Sequence, residues 1–185
     1  MRILRNLMGC LLVASMMTFV ACNMTPPVRL PEIPLTEVEP YFSEAAEVQA
    51  IDTSYYQVKD AEGQVLGTVL YSLPFTATVN GYNGPTPLLI ALDAEDHIKS
   101  VVMLENHETP RFAQRVVDAG MFQTWDGLSV EEAVNKPVDA VSGATYTSNG
   151  VKSSLVLRLQ VYQRQLTQER DVQPNFWTKL FGTRR

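Results

Sequence analysis

Ser142-Gly143-Ala144-Thr145-Tyr146-Thr147-Ser148 gathers four aliphatic hydroxyl groups, on Ser142, Thr145, Thr147 and Ser148, around Gly143 and Ala144. Asp139-Ala140-Val141 precedes the stretch, and Asn149-Gly150-Val151 leads from it into a long amphipathic run ending near Leu166. Small residues let backbone N–H groups approach an anion, hydroxyls bond its oxygens, and the positive end of a following helix favours negative charge there. Phosphate binding is one reading. The other is that Thr147, Ser148 or Asn149 merely caps the helix.

A second group of chemically capable residues is Glu105-Asn106-His107-Glu108-Thr109-Pro110-Arg111-Phe112. Thr109 before Pro110 has the pattern of an N-cap followed by proline at the first helical position, which predicts a helix from Pro110 to about Ala119, closed by Gly120. His107 and Glu108 then project from a strand-to-helix turn, where functional side chains are often held. No second His or Cys stands at ligand spacing from His107, so no metal site is expected. Gly81-Tyr82-Asn83-Gly84-Pro85 is a glycine-rich turn carrying one aromatic, and Tyr82 by itself reads as well as a packed turn residue as a ligand contact.

These groups need elements to position them. Tyr55–Lys59 and Gln64–Tyr71, joined by Asp60-Ala61-Glu62-Gly63, form one hairpin pattern, and Leu88–Leu92 and His97–Leu104, joined by Asp93–Asp96, form a second. Ser129-Val130-Glu131-Glu132-Ala133 fits a capped helical turn with acids at its positive end. Val151, Leu155, Leu159, Tyr162 and Leu166 recur at helical spacing and form a core stripe. Sequential hairpins predict antiparallel pairing, so the expected fold is α+β: a twisted antiparallel sheet of two hairpins packed by helices, the last beginning after Thr147.

At 185 residues, 45% hydrophobic and with a net charge of −5, the chain suits one domain and lacks the clustered positive charge that nucleic acid requires. Arg2 and Arg5 followed by the apolar Leu7–Ala21 read as an export signal over residues 1–21. Phe19-Val20-Ala21-Cys22 is lipobox-like, with Phe19 where leucine is usual, and makes Cys22 the lipidated new N-terminus. An uncleaved N-terminal anchor is the alternative, and either tethers the protein to a membrane outside the cytoplasm. Cys10 would leave with the signal, so no disulfide is expected. Arg2 and Arg5 would leave too, taking 15 basic side chains to 13 against 20 acidic, a net charge of −7.

The prolines from Pro26 to Pro40 predict an extended spacer over 22–45 with no packed element, and Glu44–Gln49 is expected to open the folded domain, 46–168, as a short helix. The tail, 169–185, carries Phe176, Trp177, Phe181, Lys179 and Arg184, suited to a membrane surface or to the domain itself.

Taken together and in order, Gly81–Pro85, His107-Glu108-Thr109-Pro110, Trp125-Asp126-Gly127 and Asp139–Ser148 resemble the FMN-binding domain family, over roughly residues 48–165. That family includes the covalent-flavin subunits of the Na+-translocating NADH:quinone reductase and of the Rnf complex. The resemblance implies FMN joined to Thr147 by a phosphoester bond, installed by a flavin transferase with FAD as donor. Ser142, Gly143, Ala144 and Thr145 would cradle the phosphate, with Glu108, Thr109 and Tyr82 beside the ring. Arg111 stands where relatives often have glycine, and would favour a reduced anionic flavin if it reached the ring. The implied protein is an electron carrier between a membrane redox complex and another acceptor more than an enzyme with its own substrate. A flavin-dependent reductase of a small extracytoplasmic substrate and a cofactor-free lipoprotein binding module are the alternatives.

Overall fold

Two acidic turn residues set the hairpins that organise the domain. In the computed structural model, which describes residues 32–181 and side chains to residue 168, Asp60 Oδ1 accepts from the N–H groups of Glu62 (3.0 Å) and Gln64 (2.7 Å). Asp93 Oδ1 does the same for Glu95 (3.0 Å) and His97 (2.8 Å). Each carboxylate mimics a backbone turn. The first turn joins β2 (Tyr55–Lys59) to β3 (Val65–Tyr71), and the second joins β4 (Leu88–Asp93) to β5 (Ile98–Met103). With β1 (Glu47–Ala50) these form one antiparallel sheet in chain order, β1-β2-β3-β4-β5. The fold is α+β, as expected, with one strand more than the two hairpins.

Glu44–Gln49 is expected to open the domain as a short helix, but Glu47–Ala50 instead forms β1, paired with β2 from Glu47↔Lys59 to Ala50↔Tyr56. Four residues gain more from completing a sheet edge than from an isolated turn of helix, whose nucleation is unfavourable. The described part of the 22–45 spacer is likewise not an extended arm. Pro34 precedes a helical turn, α1 (Leu35–Val38), and Val38 and Phe42 are buried against Tyr56, Val58, Val69, Leu89 and Ala91. Phe42 fits because residue 67 is glycine: a Cβ there would lie 2.7 Å from its Cε1. Proline density signalled extended chain and outweighed the apolar spacing of Leu35, Val38 and Phe42.

The opposite face of the sheet carries the main core. Leu70, Leu88, Ile90, Leu92 and Ile98 meet Val116, Trp125, Val151, Leu155, Leu159 and Tyr162 there. Covered on both faces, β4 is apolar almost throughout rather than alternating. α2 (Pro110–Asp118) is followed by Ala119 and by Gly120 at φ +67, the left-handed closing residue that favours glycine. A short 3-10 turn, Phe122–Trp125, buries both its aromatics beneath the sheet edge. α3 (Val130–Asn135) starts in a capping box: Glu132 N–H donates to Ser129 Oγ at 3.3 Å, and Ser129 N–H to Glu132 Oε2 at 2.9 Å. α4 (Thr145–Phe181) begins two residues before Thr147 and runs well past Leu166. Its stripe Val151, Leu155, Leu159 and Tyr162 is fully buried, each side chain contributing about 2 kcal/mol by removal from water.

Among the described residues no helix is long and apolar enough to cross a membrane. The export signal and Cys22 lie outside the described residues, as do the side chains of the 169–185 tail.

Candidate functional site

The loop before α4 is closed by one hydroxyl. Ser148 Oγ accepts from Val141 N–H (3.0 Å) and lies 3.0 Å from the Ala144 carbonyl and 3.1 Å from that of Thr145, while Ala144 N–H donates to the Val141 carbonyl (3.0 Å). The chain turns at Gly143, where φ is +76 and a Cβ would lie 2.3 Å from Arg115 Nη1. Glycine is favoured here by the positive φ, and the Arg115 guanidinium lies close over it. Arg115 comes from α2 and donates to the Ser142 carbonyl at 3.4 Å.

Because α4 starts at Thr145, Thr147 is its third residue and not its cap. The first N–H groups of a helix have no partner within it, so those of Thr145, Tyr146 and Thr147 point out of the helix start as free donors. Neither Ser148 nor Asn149 is the cap. Ser148 ties the loop instead, a role open to it because its hydroxyl faces back along the helix.

Thr147 is 1% exposed, and its hydroxyl donates to Glu108 Oε2. Glu108 is itself 5% exposed and uses Oε1 to accept Asn83 N–H at 2.8 Å, while its own N–H donates to Asn106 Oδ1 at 2.9 Å. Asn83 Nδ2 donates to the His107 carbonyl at 2.7 Å, which ties the 81–85 turn to the strand-to-helix turn. That turn also sits directly on α4. A Cβ at Gly150 would lie 2.8 Å from Gly81 N and Cα, and one at Gly81 would lie 2.7 Å from Glu108 Oε1. Two backbones touch here because both residues lack side chains.

Beside this contact is a cleft of about 200 Å³ lined by Tyr82, Phe112, Gly143, Ala144, Thr145, Tyr146 and Thr147. Tyr82 meets the Phe112 ring edge-on at 5.1 Å and faces Tyr146 at 6.4 Å. Tyr82 and Tyr146 are 60% and 70% exposed, so both present ring faces at the mouth of the cleft.

Of the residues singled out from sequence, Gly143, Ala144, Thr145, Thr147 and Tyr82 line the cleft, and Glu108 stands behind Thr147. Ser142 contributes its carbonyl to Arg115 and is not part of the wall. Thr109 holds the N-cap position of α2 by backbone alone: its carbonyl accepts from Phe112 (2.8 Å) and Ala113 (3.1 Å), and its hydroxyl makes no capping bond. Neither Thr109 nor the exposed Arg111 reaches the cleft wall. Tyr146, Phe112, Asn83 and Arg115 were missed. Gly150 was the available signal, since glycine inside a helical pattern implies close backbone approach.

The family model described as FMN-binding domain matches residues 81–157. One subunit of the ion-translocating oxidoreductase complex of Stutzerimonas stutzeri is 32% identical over 109 residues, covering 53% of this chain and 48% of that protein. One subunit of the Na(+)-translocating ferredoxin:NAD(+) oxidoreductase complex of Acetobacterium woodii is 24% identical over 140 residues, 71% of this chain and 66% of that one. The matches thus span from about half to just under two thirds of these relatives' lengths. The crystal structure of Shewanella oneidensis NqrC aligns with a TM-score of 0.43 at 24% identity, over 61% of this chain and 60% of that one. The 81–85 turn, Glu108, the cleft and the first turns of α4 all lie inside the matched 81–157, so the site falls within the stretch of the chain that is similar to the FMN-binding domain family.

Proposed function

We infer that this chain carries electrons on FMN joined to Thr147 by a phosphoester bond, at the outer face of a membrane to which its N-terminus tethers it. The observation that carries the reading is the position of Thr147: the floor of an aromatic-walled cleft, in the first turn of a helix whose first N–H groups are free. Those donors and the positive helix end suit a phosphate, and Arg115 adds a cation at the rim. Tyr82, Phe112 and Tyr146 offer apolar faces to a flat ring. A bound flavin supplies one- and two-electron redox chemistry.

At about 200 Å³ the cleft is smaller than the 300–1,000 Å³ that usually encloses a ligand of this size. It takes the phosphate and part of a ring and leaves the remainder at the surface. That suits handing electrons to a partner protein better than shaping a site around a small substrate. The names of the two relatives, which both belong to oxidoreductase complexes, support a membrane redox complex as that partner.

Attachment requires a flavin transferase with FAD as donor. Thr147 Oγ1 forms the new O–P bond, the pyrophosphate P–O bond of FAD breaks, AMP leaves, and the hydroxyl proton passes through a base of the transferase to water. The chain, produced with an active flavin transferase and then acid-precipitated and washed in denaturant, should retain the visible absorption bands of flavin. Colourless precipitate from a host whose transferase labels another acceptor would refute the covalent reading.

A further inference from the structure

The hydroxyl assigned to flavin attachment is closed off in the folded chain. Thr147 is 1% exposed, the carboxylate it donates to is 5% exposed, and Gly81 rests on Gly150 in the next turn of the same helix. Attack on a phosphorus requires the reacting atoms within about 3–3.5 Å and aligned, which this closure forbids. The obstacle is also electrostatic. Glu108 would face the incoming pyrophosphate, and afterwards the phosphodiester, once the hydroxyl that had donated a hydrogen bond to it is esterified.

Both obstacles are removed by one movement. Asn83 bonds Glu108 Oε1 through its N–H and the His107 carbonyl through Nδ2, so the 81–85 turn and Glu108 form one unit. That unit meets α4 through one Glu108–Thr147 hydrogen bond, the Gly81–Gly150 contact and the tilted Tyr82–Tyr146 ring pair at 6.4 Å, the last two van der Waals and weak per atom pair. We propose that Glu108 and the 81–85 turn form a latch over Thr147, which opens to admit the flavin transferase and is kept off Thr147 once a phosphodiester has replaced the hydroxyl proton. The proposal rests on Thr147 being the attachment site. Glu108 is then a positioning residue that slows labelling, not the base that promotes it.

Full-length wild type, Glu108→Ala and Glu108→Gln are labelled with purified flavin transferase, FAD and Mg²⁺, and flavin on denaturing gels is read against time, with circular dichroism checking the fold. Glu108→Ala should label about tenfold faster than wild type, the order expected from losing one charge-assisted hydrogen bond. Glu108→Gln, whose amide still bridges Asn83 and Thr147, should fall between. A Glu108→Ala rate equal to or below wild type overturns the latch, and equal losses in both variants would assign Glu108 as the base. Hydrogen exchange on the unmodified chains tests the latch without any labelling. Exchange at 81–85 and 145–150 should quicken in Glu108→Ala while the sheet is unchanged, and unaltered exchange overturns the proposal. Quickened exchange with no labelling of any chain would instead refute attachment at Thr147, and with it the guarding role.

Discussion

Thr147 is asked to do two jobs, and substitution separates them. Its hydroxyl is the proposed acceptor of the flavin, and it is also the donor that satisfies a buried carboxylate. Thr147→Ala should abolish flavin fluorescence on denaturing gels. It should also cost about 1–3 kcal/mol, the penalty for leaving a buried group without a partner, rather than the smaller amount a lost helix cap would carry. Thr147→Ser keeps the donor and should stay close to wild-type stability, yet label slowly because it lacks the methyl that fixes the rotamer. Thr145→Ala, at an exposed first-turn position, should reduce labelling without removing the acceptor. A Thr147→Ala chain that still fluoresces would move the attachment to another residue.

Two helices carry predictions of their own. In α4, Arg158 is fully buried and joins the ends of two strands, donating through Nε to the Tyr71 carbonyl (2.8 Å) and through Nη2 to the Ser54 carbonyl (3.1 Å). Burial lowers its pKa to about 10, with Asp52 nearby opposing the shift, so it stays charged at neutral pH. Arg158→Met roughly keeps the volume but takes the guanidinium donor from the Tyr71 carbonyl, while the Ser54 carbonyl keeps the Tyr71 N–H at 2.8 Å, and should lower unfolding free energy by about 1–3 kcal/mol, read from the urea midpoint. In α3, hydrogen bonds from Ser129 hold the Glu132 carboxyl below its ordinary pKa. A depressed folded-state pKa gives stability that is present above the unfolded value and lost as pH falls through the folded one. The capping box should therefore weaken as pH drops below about 4.5, and Glu132→Gln should flatten the acid side of a Tm-against-pH curve. An unchanged acid limb would assign that slope to other carboxyls.

At the scale of the whole molecule, the site lies where three separate parts of the chain meet: the 81–85 turn, the segment around Glu108, and the first turns of α4. The sheet holds them together, because β4 and β5 lie between the first of these parts and the second. α1 packs on the opposite face of the sheet from the main core, and the tether proposed at Cys22 carries a prediction of its own. Cys22→Ala should release the chain into the soluble fraction or leave an unprocessed precursor on fractionation. A variant processed at the same position and still fully membrane-bound would exclude lipidation at that sulfur.

Periodicity and turn chemistry carried much of this fold before any coordinates. The hairpins follow from the turns at Asp60 and Asp93, α2 from Thr109-Pro110 and Gly120, α3 from Ser129 and Glu132, and the buried stripe of α4 from its apolar spacing, because each is decided by residues within a few positions of one another. The hydroxyl-rich loop was legible for the same reason: its glycine, its hydroxyls and the helix after it are contiguous. What the sequence left open depends on partners far along the chain. Thr147 and Glu108 are 39 positions apart and Arg158 and Ser54 104 apart, and no local pattern records that a charged residue on a helix will be buried against strand ends. α1 and β1 were misread because proline content and short length speak to local preference alone, whereas the uncovered face and open edge of the sheet supplied the burial and pairing that ordered them. Tertiary structure decided which hydroxyl is enclosed and which carboxylate encloses it, since that depends on how closely Gly81 and Gly150 let a turn settle on a helix.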